Sequence, residues 1–331
     1  MCSFGQIGVV ASVSRPDDSP TTLSAGKGAD AVKIAIEPGR DEHLAEAVTS
    51  SGSAVVALDE ADALVWIGGP DGFPQLADTV RWVALATAGI EKFVAAEVLD
   101  DRRLWTNASG FYAAGVAEHA LTLLLAGLRQ INTAVLDHWA KERIDPAVRT
   151  LRGATVAIIG AGGIGRELTP LLKACGARVI AVNRSGRAIP GAHQTLPTDR
   201  IDEVWALTDH VVLAAPDTPE THHLINDESL GKLHPHSWIV NIARGPLIDQ
   251  SALHRALLGG TIAGAALDVT DPEPPSLDDP LWSLPNVIIT PHVANPASGL
   301  TREMAPYLAE NIRRFEAGEE LLSVVAPGAG Y

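Results

Sequence analysis

Cysteine is almost missing: Cys2 and Cys175 are the two in 331 residues. Two cysteines build neither a disulfide framework nor a zinc-type spacing, so a reducing cytoplasm is expected and no metal. Basic residues are also scarce. Forty Asp and Glu against 25 Lys and Arg leave a formal net charge of -15. Nucleic acid and anionic membrane surfaces attract the opposite sign, so neither is expected as a partner. A local cationic pocket for a small anion is still allowed. The opening residues, MCSFGQIGVV, lack a basic stretch ahead of their apolar piece, so no secretory leader is expected. The apolar run Ala113 to Leu128 is interrupted by Glu118 and His119 and makes a poor membrane span.

What the sequence does have is length and apolar content. At 331 residues and 46% hydrophobic, it exceeds one ordinary core and suits two domains. Residues 14–30, SRPDDSPTTLSAGKGAD, are rich in Ser, Pro, Asp and Gly, and the first thirty residues read as a loose extension. Strands are expected at 32–36, 54–57, 64–67 and 82–86, with a helix at 41–49, which makes a small α/β unit. The segment 116–131, VAEHALTLLLAGLRQI, is apolar around most of a helix, as in a helix buried between domains or subunits. His119 on it reads as a core or capping histidine rather than a catalytic one.

From Leu151 the rhythm changes. TVAIIG (155–160), RVIAVN (178–183), HVVLAA (210–215), WIVNIA (238–243), GAALDV (264–269) and NVIIT (286–290) alternate with helical segments. Continuous Val, Ile and Ala runs in that alternation predict parallel strands covered on both faces, hence a doubly wound α/β sheet. A last helix, 300–317, is expected to pack back on the first unit, which has few helices of its own.

One turn in this sheet carries a phosphate signal. Strand 155–160 runs into Gly160-x-Gly162-x-x-Gly165, and an apolar helix follows. The first glycine permits a tight turn, the second lets backbone N–H groups approach a pyrophosphate, and the third lets helix and strand pack closely. The next strand ends in VNRSGR, without the Asp or Glu that holds a ribose 2′-hydroxyl in an NAD site. Asn183 followed by Arg184, Ser185 and Arg187 suits a 2′-phosphate, so NADP(H) is expected in preference to NAD(H).

Ligands of such sheets sit beyond the carboxyl ends of the strands. Past WIVNIA comes Arg244, past GAALDV comes Glu273 in TDPEPP, and past NVIITP comes His292. A cation, a carboxylate and an imidazole on the edge that carries the dinucleotide suit one reaction. Hydride transfer from an alcohol needs a neighbouring base for the proton, a cation to hold a carboxylate, and an acid to orient the imidazole.

NIARGPLID, GAALDVTDPEP, NVIITPHVA, VAEHALTLLLA and GAGGIGREL together resemble, in order, the motifs of the D-isomer-specific 2-hydroxyacid dehydrogenase family. The likeness, of the glyoxylate/hydroxypyruvate reductase type, runs over most of residues 32–320. It implies a catalytic Arg244, Glu273 and His292, with Glu273 stabilising the imidazolium of His292. It implies a substrate bound by His292 at its hydroxyl or keto oxygen, with its carboxylate held by Arg244 and the backbone of Ala88, Gly89 and Ile90 in ATAGIE. Cofactor contacts are implied for Gly160, Gly162, Gly163, Ile164, Gly165, Asn183, Arg184, Ser185, Ala215, Pro216, Ala243 and Asp268, the last beside the nicotinamide carboxamide. The fold implied is a Rossmann-type nucleotide domain, 104–296, with a smaller discontinuous α/β substrate domain, 31–103 and 297–331. A homodimer joined through the nucleotide domain and the helix at 116–131 is implied as well.

The pattern has departures. Thr270 stands where an aromatic is common, and Asn295-Pro296 where glycine is common. No regulatory domain follows Tyr331, so a long-type phosphoglycerate dehydrogenase is not expected. Glu273 argues against formate dehydrogenases, which carry an amide there. Two other functions stay open at this point: a dehydrogenase of another small anion, such as phosphite, and a non-catalytic nucleotide-sensing corepressor.

Overall fold

Short apolar runs recur along the chain and become the strands of two sheets. The computed structural model describes residues 31–296 and 299–325; the expected loose extension, residues 1–30, lies outside the described residues. Strands β1 to β5 are Lys33–Glu37, Ala54–Val55, Ala63–Trp66, Trp82–Leu85 and Leu104–Thr106. Strands β6 to β9 are Thr155–Ile159, Arg178–Asn183, Gln194–Pro197 and His210–Leu213. Strands β10 to β13 are Trp238–Asn241, Gly264–Leu267, Val287–Ile289 and Val324–Val325.

The first sheet has the order β13-β5-β4-β3-β1-β2, parallel except where β13 pairs antiparallel with β5. Leu44 and Val48 of the helix Glu42–Ser50 cover one face together with Met304, Leu308 and Ile312 of the helix Leu300–Ala317. The late helix thus packs on the first unit, as its shortage of helices led us to expect. The expected boundary at residue 104 needs correction. Leu104–Thr106 hydrogen-bonds to β4 in register with Trp82–Ala84, so these residues belong to the first sheet. A three-residue strand is too short to show a period in sequence.

The second sheet has the order β12-β11-β10-β9-β6-β7-β8, parallel throughout. Its apolar runs are explained by two-sided burial. Along β6, Val156 and Ile158 enter one cluster with Leu168, Leu172 and Trp238. Ala157 and Ile159 enter the opposite one with Ile239, Leu253 and Leu257. From β6 the chain order runs one way through β7 and β8 and the other way through β9 to β12. The crevice at that reversal, beyond the carboxyl ends of β6 and β9, is where such a sheet binds ligands. The helix expected at 116–131 spans Ala113–Leu128 and packs on one face of the second sheet beside the helix Gly163–Ala174.

Candidate active site

The glycine turn takes the form its spacing predicts. Gly160 ends β6 with φ +86°, and a Cβ there would lie 2.4 Å from the backbone of Ala215. No side chain fits, and the strand end of β9 closes on the turn for that reason. Gly162 caps the helix Gly163–Ala174, and a Cβ on Gly165 would meet that of Ala161 at 2.8 Å. The first-turn N–H groups of Gly163, Ile164 and Gly165 have no acceptor inside a helix and face the crevice end. Such a turn can cradle a phosphate, and the residues present fit a dinucleotide. Pro216 is exposed just past Ala215. At the end of β7, Asn183 donates from Nδ2 to the carbonyl of Arg187 at 2.8 Å, and the Arg187 N–H donates to Ser185 Oγ at 3.3 Å. Arg184, Ser185 and Arg187 are exposed on this turn.

Arg244 follows β10 by three residues. Asn241, fully buried, sets the turn between them: its Oδ1 accepts from the Ala243 N–H at 3.0 Å and its Nδ2 donates to the Arg244 carbonyl at 2.8 Å. Gly245 lets the following loop pass close by, since a Cβ there would lie 2.0 Å from the Thr270 carbonyl oxygen. That crossing carries the chain from β11 toward Glu273. The guanidinium reaches over to the first unit. Its Nε and Nη2 donate to the Glu91 carboxylate at 3.2 and 3.4 Å, and Nη1 donates to the Ala243 carbonyl at 2.7 Å. The ATAGIE loop lies against it, held by Asn107, whose Nδ2 donates to the Ala88 carbonyl at 2.7 Å. Of this loop, Gly89 lies against Arg244, with Ala88 and Ile90 on either side of it and Ile90 buried in the core of the first unit.

Glu273 and His292 meet. His292 Nδ1 lies 2.8 Å from Glu273 Oε1, with the two side chains 50% and 45% exposed. With Nδ1 on the carboxylate, Nε2 is the nitrogen left for a substrate. The backbone of His292 is left-handed, φ +51°, a region that a non-glycine residue enters at a cost of about 1–3 kcal/mol unless its surroundings hold it. They do: its N–H donates to the carbonyls of Asp268 and Thr290 at 2.9 and 3.0 Å.

Asp268 organises this loop. It is 2% exposed. Its Oδ1 accepts from Thr290 Oγ1 at 2.6 Å and from the Val293 N–H at 3.0 Å, and its Oδ2 accepts from the Ala294 N–H at 2.9 Å. His119 joins the same network through Nε2, 3.2 Å from Thr290 Oγ1 and 3.3 Å from Asp268 Oδ1. His119 is therefore tied to the His292 loop through Asp268 and Thr290. Tyr112 links the two units nearby, donating from its hydroxyl to the Ala86 carbonyl and contacting the Asn295 side chain. Burial pushes its phenol up to about 12, with the Asn295 contact opposing, so it remains a donor at neutral pH.

Sequence reasoning missed Glu91, Asn107, Asn241 and the bracing by Asp268 and Thr290. The acid in the first turn after ATAGI and the asparagine in NIARG were visible, but their partners lie in other loops. Among the described residues no group of three or more His, Cys, Asp or Glu is placed to hold a metal ion, and no helix is long and apolar enough to cross a membrane.

Comparison with known proteins bears on this geometry. Residues 120–294 match the family described as D-isomer specific 2-hydroxyacid dehydrogenase, NAD binding domain. An uncharacterized protein in the proB 3′ region of Corynebacterium melassecola is 41% identical over 280 residues, 83% of this chain and 91% of that protein. The glyoxylate reductase of Thermococcus onnurineus is 32% identical over 88% of this chain and 92% of its own length. The D-3-phosphoglycerate dehydrogenase of Mycobacterium tuberculosis is 31% identical over 94% of this chain but only 58% of its own length. A solved D-isomer specific 2-hydroxyacid dehydrogenase from Xanthobacter autotrophicus, in complex with NADPH and MES, superposes with TM-score 0.76 at 29% identity. That match covers 91% of this chain and all of the other. With the glycine cradle and the strand-end residues in place, these matches make the chain a member of the D-isomer specific 2-hydroxyacid dehydrogenase family, NAD(P)-dependent oxidoreductases.

Proposed function

We propose that this protein reduces a small 2-keto acid to the D-2-hydroxy acid, reversibly, with NADP(H) as its preferred cofactor and His292 as the acid/base. The observation that carries the reading is the His292–Glu273 pair at 2.8 Å, on the sheet edge shared with the Gly160 cradle. Arg244 anchors the substrate carboxylate against the N–H groups of Ala88, Gly89 and Ile90. His292 Nε2 protonates the keto oxygen in reduction and takes the hydroxyl proton in oxidation. Glu273 holds Nδ1 and balances the charge of the imidazolium. A bound nicotinamide supplies the hydride at the substrate carbon. Gly160 to Gly165, Ala215, Pro216 and Ala243 would hold its pyrophosphate and ribose side. Asp268 acts through the loop it braces, since its oxygens are committed to Thr290, Val293 and Ala294.

NADPH bound to the Xanthobacter relative and the absence of an acid at the β7 end both support NADP(H). Asn183→Asp places a carboxylate where a 2′-phosphate is expected. Like charges so placed cost one to several kcal/mol, so kcat/KM with NADPH is expected to fall roughly ten-fold or more while that with NADH is retained or rises. An unchanged NADPH/NADH ratio contradicts the assignment. The substrate is proposed as glyoxylate or hydroxypyruvate, on the likeness to a glyoxylate reductase. Initial rates over a panel of 2-keto acids of increasing size test this, and turnover confined to phosphite, or none at all, overturns it.

We also propose a homodimer in the cytoplasm. Ile131, Val135, Leu136 and Trp139, just beyond the helix Ala113–Leu128, are 52%, 71%, 66% and 90% exposed. Clustered exposed apolar side chains of this size mark an association surface. Trp139→Glu is expected to convert dimer to monomer in analytical ultracentrifugation; a wild-type monomer at the same concentration rules the dimer out.

A further inference from the structure

The anion cradle assigned to a substrate carboxylate already holds one, and it is the protein's own. Glu91 opens the short helix Glu91–Ala95 of the first unit, while Arg244 belongs to the second. Oε1 and Oε2 of Glu91 lie 3.2 and 3.4 Å from Nε and Nη2 of Arg244. The Gly89 backbone closes on the same point. A Cβ there would lie 2.0 Å from Arg244 Nη2 and 2.6 Å from Glu91 Oε2. Arginine, acid and loop therefore converge where a bound carboxylate is expected.

The pair has the character of a contact made to be broken. A strong arginine–carboxylate fork is short, about 2.7–2.9 Å; this one is longer, and its two side chains are 35% and 33% exposed. An ion pair that wet is worth no more than about a five-fold ratio in an equilibrium. The third Arg244 contact, from Nη1 to the Ala243 carbonyl at 2.7 Å, holds the guanidinium in place without Glu91. A tethered carboxylate nevertheless competes at high effective concentration with one arriving from solution.

We propose that Glu91 is an intramolecular stand-in for the substrate carboxylate. It occupies the Arg244 edge in the substrate-free protein and yields that edge to the carboxylate of a 2-keto acid. It thereby sets KM for the substrate and, once displaced, lies as a negative charge beside the bound anion. A second anionic group on the substrate is then penalised, so the class favoured is the monoanionic 2-keto acid over dicarboxylates and phosphorylated acids. The proposal rests on the assignment of Arg244 as the carboxylate anchor.

Glu91→Gln tests it, with two readouts. One is the steady-state kinetics of glyoxylate and of oxaloacetate with NADPH. The other is the affinity of oxamate, an inert monocarboxylate analogue, for the protein–NADPH complex by calorimetry. KM for glyoxylate and Kd for oxamate are expected to fall roughly five-fold, with kcat moving much less, and KM for the dianionic oxaloacetate is expected to fall further still. A KM and Kd that stay the same or rise overturn the proposal, as does failure of oxamate to bind either protein. Should the wild type reduce no 2-keto acid, the proposed function falls, but the oxamate titration still decides the role of Glu91. Glu91→Ser serves for the same measurements if the Gln variant does not fold, which thermal melting reports.

Discussion

His292→Ala is expected to lower kcat for 2-keto acid reduction by about a hundred-fold to ten-thousand-fold, the range for removal of a positioned acid/base. The Kd for NADPH should hardly move, because the glycine cradle lies at the end of β6 and shares no hydrogen bond with the imidazole. His292 is half exposed and its ring pairs with the Glu273 carboxylate near the surface, so its loss removes little buried area and the fold should survive. Glu273→Gln keeps a hydrogen-bond partner for Nδ1 but not the charge, and its loss in kcat should be smaller. Pre-steady-state mixing separates the hydride step from product release. A kcat for His292→Ala within two-fold of wild type, with the hydride step unchanged, contradicts the acid/base role.

Asp268→Ala is expected to destabilise the protein strongly. It leaves the N–H groups of Val293 and Ala294 and the hydroxyl of Thr290 without their acceptor, in a place that is 2% exposed. Each stranded group costs about 1–3 kcal/mol when water cannot reach it. Some water will enter, so the net loss is set at about 3 kcal/mol. For a domain of this size that corresponds to a fall in Tm of roughly 6–12 °C. The strained backbone of His292 depends on the same loop, so kcat falls as well, even at temperatures where the variant is folded. Differential scanning calorimetry and kinetics at low temperature measure the two effects. A Tm within about a degree of wild type means that Asp268 does not brace the loop.

The two readings differ in how visible they were in the sequence. Arg244, Glu273 and His292 were legible because strand ends can be read from apolar runs and ligands gather beyond strand ends. The sheet order then puts β10, β11 and β12 side by side, and Glu273 and His292 do meet. The glycine turn was legible because its steric demand is local: Gly160 must accept φ +86° against Ala215. Asp268 was placed beside the nicotinamide on resemblance, yet its hydrogen bonds run to residues 22 to 26 positions further on. No local pattern reports such partners. Glu91 lies 153 positions from Arg244, and its acid reads in sequence as an ordinary first-turn helix residue. The strands β5, β8 and β13 were missed for a different reason. Two are only two or three residues long, and β8 (QTLP) is a polar edge strand with one buried residue, as edges tend to be.

The boundary at residue 104 failed on the same ground, since β5 is too short to announce itself. The late helix Leu300–Ala317 was placed correctly because its four buried residues, Met304, Leu308, Asn311 and Ile312, fall on one face, and the first unit lacked a second layer. The chain thus crosses between the units twice, and the contacts of Tyr112 with Ala86 and Asn295 tie both sides of the cleft close to the His292 loop. A cleft that closes on substrate has to move those contacts together.

The most direct measurement is the initial rate of NADPH oxidation by the purified protein with glyoxylate or hydroxypyruvate, beside the same assay with NADH, and with the configuration of the glycerate formed from hydroxypyruvate. Turnover with NADPH well above that with NADH, giving D-glycerate, is the result expected from the Gly160 cradle, the Asn183 turn and the Arg244–Glu273–His292 edge. No oxidation of either nucleotide with any 2-keto acid contradicts it.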